Sequence, residues 1–509
     1  MANRPDIIIV MTDEERAVPP YESAEVLAWR QRSLTGRRWF DEHGISFTRH
    51  YTGSLACVPS RPTIFTGQYP DLHGVTQTDG IGKRFDDSRL RWLRAGEVPT
   101  LGNWFRAAGY DTHYDGKWHI SHADLEDPAT GAPLATNDNE GVVDSAAVRR
   151  YLDADPLGPY GFSGWVGPEP HGAGLANSGY GLTRMVSRNY ARNAQRYRDL
   201  YYRLHAEVDG PIDRVRRAVT EGGSEDAMLV RTSDHGDLLG AHGGLHQKWF
   251  NLYDEATRVP FVIARIGEKA TQPRTVSAPT SHVDLVPTLL SAAGVDVDVV
   301  AAALAESFSE VHPLPGRDLM PVVDGASADE GRAIYLMTRD NVLEGDTGAS
   351  LLSRQLGRIV NPPAPLRIKV PAHVAANFEG LVVRVDDTDA AGGAGHLWKL
   401  VRTFDDPATW TEPGVRHLAT NGMGGDAYRT DPLDDQWELY DLTADPIEAY
   451  NRWTDPQLHE LRQHLRMLLK QQRAVSVPER NQPWPYAHRL PPSGASNGLV
   501  RRVLGRFVR

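Results

Sequence analysis

The apolar positions of this chain fall into two unlike patterns. Through most of its length, short unbroken apolar runs alternate with long polar stretches. The runs are Ile7-Ile-Ile-Val-Met11, Ala227-Met-Leu-Val230 and Val259-Pro-Phe-Val-Ile263. A continuous apolar run marks a strand covered on both faces. Between the first two runs, Arg188 to Thr220 carries Tyr, Leu and Val at helical spacing, which predicts a long amphipathic helix. Strands alternating with helices predict an α/β domain: a mostly parallel sheet sandwiched by helices. Ligands of such sheets bind just beyond the carboxyl ends of the strands. The residues that follow each run are therefore the place to look for chemistry.

Residues 121 to 187 break this rhythm. They are rich in Gly, Pro, Asn and Asp and hold no long apolar run. An irregular stretch of that length predicts a lid or pocket wall. Beyond about residue 370 the pattern changes to isolated strand-like runs, Gly380-Leu-Val-Val-Arg384, His396-Leu-Trp-Lys-Leu-Val401 and Trp437-Glu-Leu-Tyr440, followed by a helix over Gln457 to Val475. These predict a smaller antiparallel α+β domain. The expected division is a catalytic α/β domain over 1–365, the antiparallel sheet and helix over 366–475, and a tail over 476–509. The tail is Pro-rich to Pro492 and ends in a basic amphipathic segment. As a helix it would place Leu499, Val500, Val503, Leu504, Phe507 and Val508 on one face, and Arg501, Arg502, Arg506 and Arg509 on the other. It reads as docking onto the protein itself or onto a neighbouring subunit, the second of which would make a homo-oligomer. A membrane-surface helix is the alternative, disfavoured because the segment is short and the chain acidic.

Composition narrows the classes. The 509 residues carry a net charge of −11, which argues against a general nucleic-acid partner. One cysteine permits no disulfide framework. No apolar stretch approaches the roughly 18 residues needed to span a bilayer, and Met1 to Arg4 lead directly into the first strand without a leader pattern. A cytoplasmic location is the expectation.

The first run ends in Thr12-Asp13-Glu14, the second in Thr232-Ser233-Asp234-His235-Gly236. Taken singly, Asp13 or Asp234 reads as a turn or N-cap residue. Together they offer oxygen ligands suited to a hard divalent cation such as Ca²⁺, Mg²⁺ or Mn²⁺, and the imidazole tilts the choice toward Mn²⁺ or another transition metal. The lone cysteine, Cys57, opens the run Cys57-Val-Pro-Ser-Arg61. By itself such a cysteine reads as a buried, inert thiol. Here a helix is expected to open near Pro59, with proline tolerated in its first turn. Its N-terminus, with the permanent cation Arg61, would favour an oxyanion or its ester. In Gly116-Lys117-Trp118-His119, Lys117 and His119 point the same way from an extended segment. The lysine suits an ester oxygen and the histidine a proton transfer. Lys248 closes a glycine-rich loop after Gly236 and offers a second cation.

Taken in order, the strand-end Asp, C-x-P-S-R, G-K-W-H, and S-D-H-G with its following lysine resemble the sulfatases, formylglycine-dependent members of the alkaline phosphatase superfamily. Arg258-Val259-Pro260, His282-Val-Asp-Leu-Val-Pro-Thr-Leu-Leu290 before Gly294, and Trp437-Glu-Leu-Tyr-Asp-Leu with Asp445-Pro446 are similar to later family segments. The resemblance implies that a formylglycine-generating enzyme oxidises Cys57 to formylglycine, whose hydrate is the nucleophile. It implies one divalent metal, Ca²⁺ foremost and Mn²⁺ or Mg²⁺ as alternatives. Asp13, Asp234, His235 and residue 57 would be its ligands. Glu14 stands where many members have a second metal-binding Asp, and it counts as a candidate ligand. Arg61 would orient the hydrate, and Lys117 and Lys248 would meet the ester oxygens. His119 would serve the hydroxyl that carries no metal bond, helping it to expel sulfate and restore the aldehyde.

One family feature is missing. Most members carry an apolar strand between G-K-W-H and the long helix, ending in a histidine that protonates the leaving group. Here Tyr190-Ala-Arg-Asn-Ala-Gln-Arg-Tyr197 runs into the helix with no such strand. His171, in Gly167-Pro-Glu-Pro-His-Gly172, is the candidate replacement. The expected activity is that of a sulfuric ester hydrolase acting on a small anionic ester. Asp234-His235, where many sulfatases have Asp-Asn, also resembles phosphonate monoester hydrolases and phosphodiesterases with the same machinery, and choline-sulfatase-like enzymes. An anion-binding or scaffold homologue without turnover is the non-enzyme reading.

Overall fold

The run Ile7–Met11 forms the body of strand β1 (Asp6–Thr12), and Ala227–Val230 opens strand β3 (Ala227–Ser233). The computed structural model describes residues 4–78, 87, 89–121, 153–166, 184–339, 344, 375–386, 395–418 and 428–488. Between β1 and β3 lie helices α1 (Ala24–Ser33) and α2 (Thr35–His43), strand β2 (Ile45–Phe47), helix α3 (Cys57–Thr66) and the long helix α4 (Arg184–Thr220). Strands β4 (Phe261–Ile266) and β5 (Arg274–Val276) complete a sheet of order β1-β3-β4-β2-β5. β1 and β3 run parallel, as do β2 and β5; β4 runs antiparallel to both β3 and β2. The sheet is thus mixed, where the apolar runs alone read as mostly parallel. A run covered on both faces looks the same in either direction, so only the connection into β4 could reveal its reversal.

Helices cover both faces. On one, Phe40 of α2 and Ile212 of α4 pack on Ala227, Leu229, Val262 and Ala264. On the other, Val58, Ile64 and Phe65 of α3 join Leu285, Val286 and Leu289 against Met228, Val230, Phe261 and Ile263. This alternation along each strand is the period-two consequence of the pleat. β1 ends the described order; its residues are only partly buried where those of β3 are buried throughout.

A second sheet, β6 (Ile334–Arg339), β7 (Asn377–Arg384), β8 (Leu397–Phe404) and β9 (Gln436–Asp441), is antiparallel throughout. Helix α5 (His459–Ser476) lays Leu461, Leu465 and Leu469, one stripe at four-residue spacing, onto Leu381, Trp398, Leu400 and Leu439. β6 lies ahead of residue 366, within the stretch read as catalytic domain. Its apolar residues are buried on both faces, Tyr335 and Met337 in one cluster with Leu461 and Leu465, Ile334 and Leu336 in another with Tyr51 and Leu55. Between residues 121 and 187 the structure adds a strand the composition hid. Ser163–Val166 pairs in parallel with His113–Asp115, and Phe162 beside it packs on Phe65 and Trp118. The amphipathic segment at the end of the tail lies outside the described residues. Among the described residues, no single helix is long and apolar enough to cross a membrane.

Candidate active site

Parallel pairing in register through Thr12 and Ser233 sets the residues that follow side by side. The Asp234 N–H donates to the Thr12 carbonyl at 3.1 Å, and the Glu14 N–H donates to Asp234 Oδ1 at 3.1 Å. Helix α3 delivers Cys57 as its first residue, in the first turn as the position of Pro59 suggested. Four residues on, Arg61 is buried and ties three segments together. Its Nε donates to Asp234 Oδ2 at 2.9 Å, its Nη1 to the Lys117 carbonyl at 2.7 Å, and its Nη2 lies 3.5 Å from Asp13 Oδ1. Ser60 Oγ donates to the Asp234 carbonyl at 2.6 Å.

The result is one cluster. Ligand atoms of Asp13, Cys57, Asp234 and His235 all lie within 4.8 Å of one another. Cys57 Sγ is 3.2 Å from His235 Nε2 and 3.7 Å from Asp13 Oδ1. Lys117 Nζ donates to Asp13 Oδ2 at 2.9 Å, and Lys248 Nζ lies 3.5 Å from Cys57 Sγ. Seven of the expected residues therefore converge: Asp13, Cys57, Arg61, Lys117, Asp234, His235 and Lys248. Glu14 reaches the site but is not in the ligand cluster; its carboxylate pairs with the Lys248 ammonium. A left-handed backbone at Glu14 (φ 59°) accompanies this departure from Asp13's direction. His119 is buried, its ring centroid 5.3 Å from that of Trp92. His171 lies outside the described residues.

Backbone strain concentrates here. Of nine described non-glycine residues with positive φ, Glu14, Ala56, His119 and Gln247 each flank or carry a site position. Such conformations cost about 1–3 kcal/mol each and persist where the surroundings dictate them. At Ala56 (φ 63°) the strain sets Cys57 at the mouth of the helix.

The charges are tightly coupled. Burial and Asp13 oppose ionisation of Cys57, yet Lys117, Lys248 and His235 hold its thiol well below its usual value. Desolvation would raise Asp13, but Lys117 and Arg61 hold it well below the carboxylate range. Burial and then Asp13 push Asp234 up to about 6. Burial alone would lower His235, yet Asp234 and Cys57 help to raise it to about 9. Burial first, then repulsion from Asp237, raises Glu14 to about 7 against the pull of Lys248.

This donor set fits a divalent metal. Two carboxylates and one imidazole converge with residue 57, and His235 Nδ1 donates to the Gly236 carbonyl at 2.9 Å. That bond leaves Nε2 facing the cluster as the ligating nitrogen, the arrangement in which an outer hydrogen bond fixes a metal-binding tautomer.

Glu15 was missed by the sequence reading. Fully buried next to Glu14, it accepts from Arg37 Nε at 3.0 Å, Arg231 Nη2 at 2.5 Å and Thr12 Oγ1 at 2.9 Å. Its own N–H donates to Ser233 Oγ at 2.9 Å, and Arg37 continues to Asp209 of α4 at 3.0 Å. The Asp13–Glu15 segment is thus pinned to β3, α2 and α4. The available signal was Arg231, a charge placed inside an apolar strand, which demanded a buried acid.

Fold and site together define an α/β hydrolase whose buried cluster of carboxylates, imidazole and cations surrounds Cys57. The sulfatase family model matches residues 5–184 and 162–295, more than half of the chain, and the protein belongs to that family. An uncharacterized sulfatase of Escherichia coli (strain K12) is 26% identical over 366 residues, covering 58% of this chain and 68% of that one. Among solved structures, a 2-O GAG sulfatase superimposes with a TM-score of 0.56 at 18% identity, over 96% of this chain and 99% of that one. The phosphonate monoester hydrolase of Agrobacterium radiobacter superimposes with a TM-score of 0.53 at 18% identity, over 93% and 96%. The shared architecture is the alkaline phosphatase-like fold.

Proposed function

We propose that the protein is a sulfuric ester hydrolase. The observation that carries this reading is the convergence of Cys57, Asp13, Asp234 and His235 under two lysines and a buried arginine, in a chain of the sulfatase family. When bound, a divalent metal, with residue 57 matured to formylglycine by a formylglycine-generating enzyme, would supply an activated hydroxyl nucleophile at neutral pH. Asp13, Asp234 and His235 would hold the metal, Ca²⁺ foremost and Mn²⁺ or Mg²⁺ as alternatives, beside residue 57.

The chain's own residues do the rest. Arg61 fixes the Asp234 carboxylate and the Lys117 carbonyl, so one side chain positions both a ligand and a substrate cation. Lys117 and Lys248 approach residue 57 from two segments and meet the ester's anionic oxygens, where fixed cations stabilise developing charge. Lys248 is buried and its charge little screened. His119 is assigned to the proton of the second hydroxyl at residue 57. His171 is the candidate for the leaving-group proton: it follows the strand Ser163–Val166 by five residues, in the sequence interval where the family's acid is expected.

A second reading keeps the same machinery and changes the ester to a phosphonate monoester or phosphodiester. The Asp234-His235 pair, with both residues in the cluster, favours it. Rates of 4-nitrophenyl sulfate and a 4-nitrophenyl phosphonate monoester, measured on one metal-loaded, formylglycine-bearing preparation, separate the two. Sulfate-ester turnover at least about tenfold faster supports the first reading. The reverse ratio transfers the assignment to the second.

A further inference from the structure

Asp13, Glu14 and Glu15 are three consecutive acids with three different environments. Asp13 joins the ligand cluster, and Glu15 is locked among arginines. Glu14 does neither. Its side chain is 22% exposed and its carboxylate pairs with Lys248, whose side chain is 6% exposed. A buried ammonium without a counter-charge is strongly unfavourable. Among the described residues, Glu14 is the one carboxylate in ion-pair contact with Lys248. The Lys248 ammonium also lies 5.3 Å from the centroid of the Trp249 ring, which limits where it can turn. From this position it reaches Cys57 Sγ at 3.5 Å. Glu14 is itself held at both backbone ends: its N–H donates to Asp234 Oδ1 at 3.1 Å, and its carbonyl accepts from Tyr201 Oη at 3.2 Å.

We propose that Glu14 is a positioning residue: its carboxylate holds the Lys248 ammonium against residue 57 and stays outside the metal's ligand set. A bound metal would then take its protein donors from Asp13, Asp234, His235 and residue 57. Glu14 also offsets part of the positive charge that the substrate anion meets, which keeps inorganic sulfate, the product, from binding too tightly. The proposal rests on the sulfate-ester reading only for the choice of anion.

Calorimetric titration of the full chain, with Cys57 unmodified, tests it using Mn²⁺ and inorganic sulfate as probes. Glu14→Gln should bind Mn²⁺ within about threefold of the parent, while Asp13→Asn should weaken it at least about a hundredfold. At saturating Mn²⁺, Glu14→Gln should bind sulfate about tenfold more tightly, because the amide no longer offsets the ammonium. In a Lys248→Met background that gain should shrink to within about twofold, the non-additivity expected of residues acting through one another. A Glu14→Gln variant that loses Mn²⁺ as severely as Asp13→Asn overturns the proposal. So does an unchanged sulfate affinity, or a gain that persists without Lys248. If these results hold while no sulfate ester is turned over, the activity reading fails and the role of Glu14 stands.

Discussion

Lys117 Nζ lies 2.9 Å from Asp13 Oδ2, so a cation assigned to the substrate is paired with a carboxylate assigned to the metal. A metal ion held by Asp13 would compete for that carboxylate and free the lysine for the anion. Metal and sulfate should therefore bind with positive coupling, and linkage makes the coupling reciprocal. Calorimetry should show sulfate binding about tenfold more tightly with saturating Mn²⁺ than without it. Lys117→Met should remove most of the difference. Equal affinities in the two conditions would contradict this exchange of partners.

Arg61 spans Asp234, Asp13 and the Lys117 carbonyl from a buried position. Lysine keeps the charge but not the planar fork that serves several acceptors at once. Arg61→Lys should lower kcat/KM for an aryl sulfate at least about a hundredfold. Circular dichroism should show an unchanged fold. A variant retaining a large share of the parent activity would remove Arg61 from its orienting role.

Glu15 balances Arg37 and Arg231 deep in the structure, and these cations hold its carboxyl well below the usual range despite burial. Glu15→Gln preserves shape and strands both guanidinium groups. Urea unfolding should show a loss of about 3–5 kcal/mol, the range for breaking a buried pair from one side. A loss under about 1 kcal/mol would mean that the network contributes little.

His73 and His417 each accept a backbone N–H at Nδ1, from Val75 at 3.2 Å and Thr411 at 3.0 Å. Burial, and then nearby arginines, lower them from near 6.5 to about 3 and about 4. Both are neutral when folded, whereas the unfolded chain binds a proton at each below pH 6.5. Their contribution is complete above pH 6.5 and is lost as pH falls toward 4 and 3. Each should cost about 1.4 kcal/mol per pH unit across that window. His73→Gln should flatten the pH dependence of unfolding free energy by about one proton. An unaltered slope would contradict a neutral His73.

What was legible in the sequence follows from local signals. The runs at Ile7 and Ala227 announce strands, and the acids just beyond them fall at strand ends without any knowledge of tertiary packing. Cys57 and Arg61 were legible because a helix start fixes their spacing. Glu14 and Glu15 were not separable, since they are adjacent and of one type. Their roles depend on the left-handed turn at Glu14 and on Arg231, 216 residues away from Glu15. Strand Ser163–Val166 was hidden because it is four residues long and exists through pairing with His113–Asp115.

The central claim is that residue 57 carries the chemistry. Protein prepared with graded amounts of a formylglycine-generating enzyme and loaded with metal can be assayed for sulfate release. The fraction converted is read from the mass of the peptide containing residue 57, about 18 Da lighter as formylglycine than as cysteine. The account predicts that turnover rises in proportion to that fraction and extrapolates to zero at none converted. Equal turnover by unconverted protein, or none by fully converted and metal-loaded protein, would contradict it.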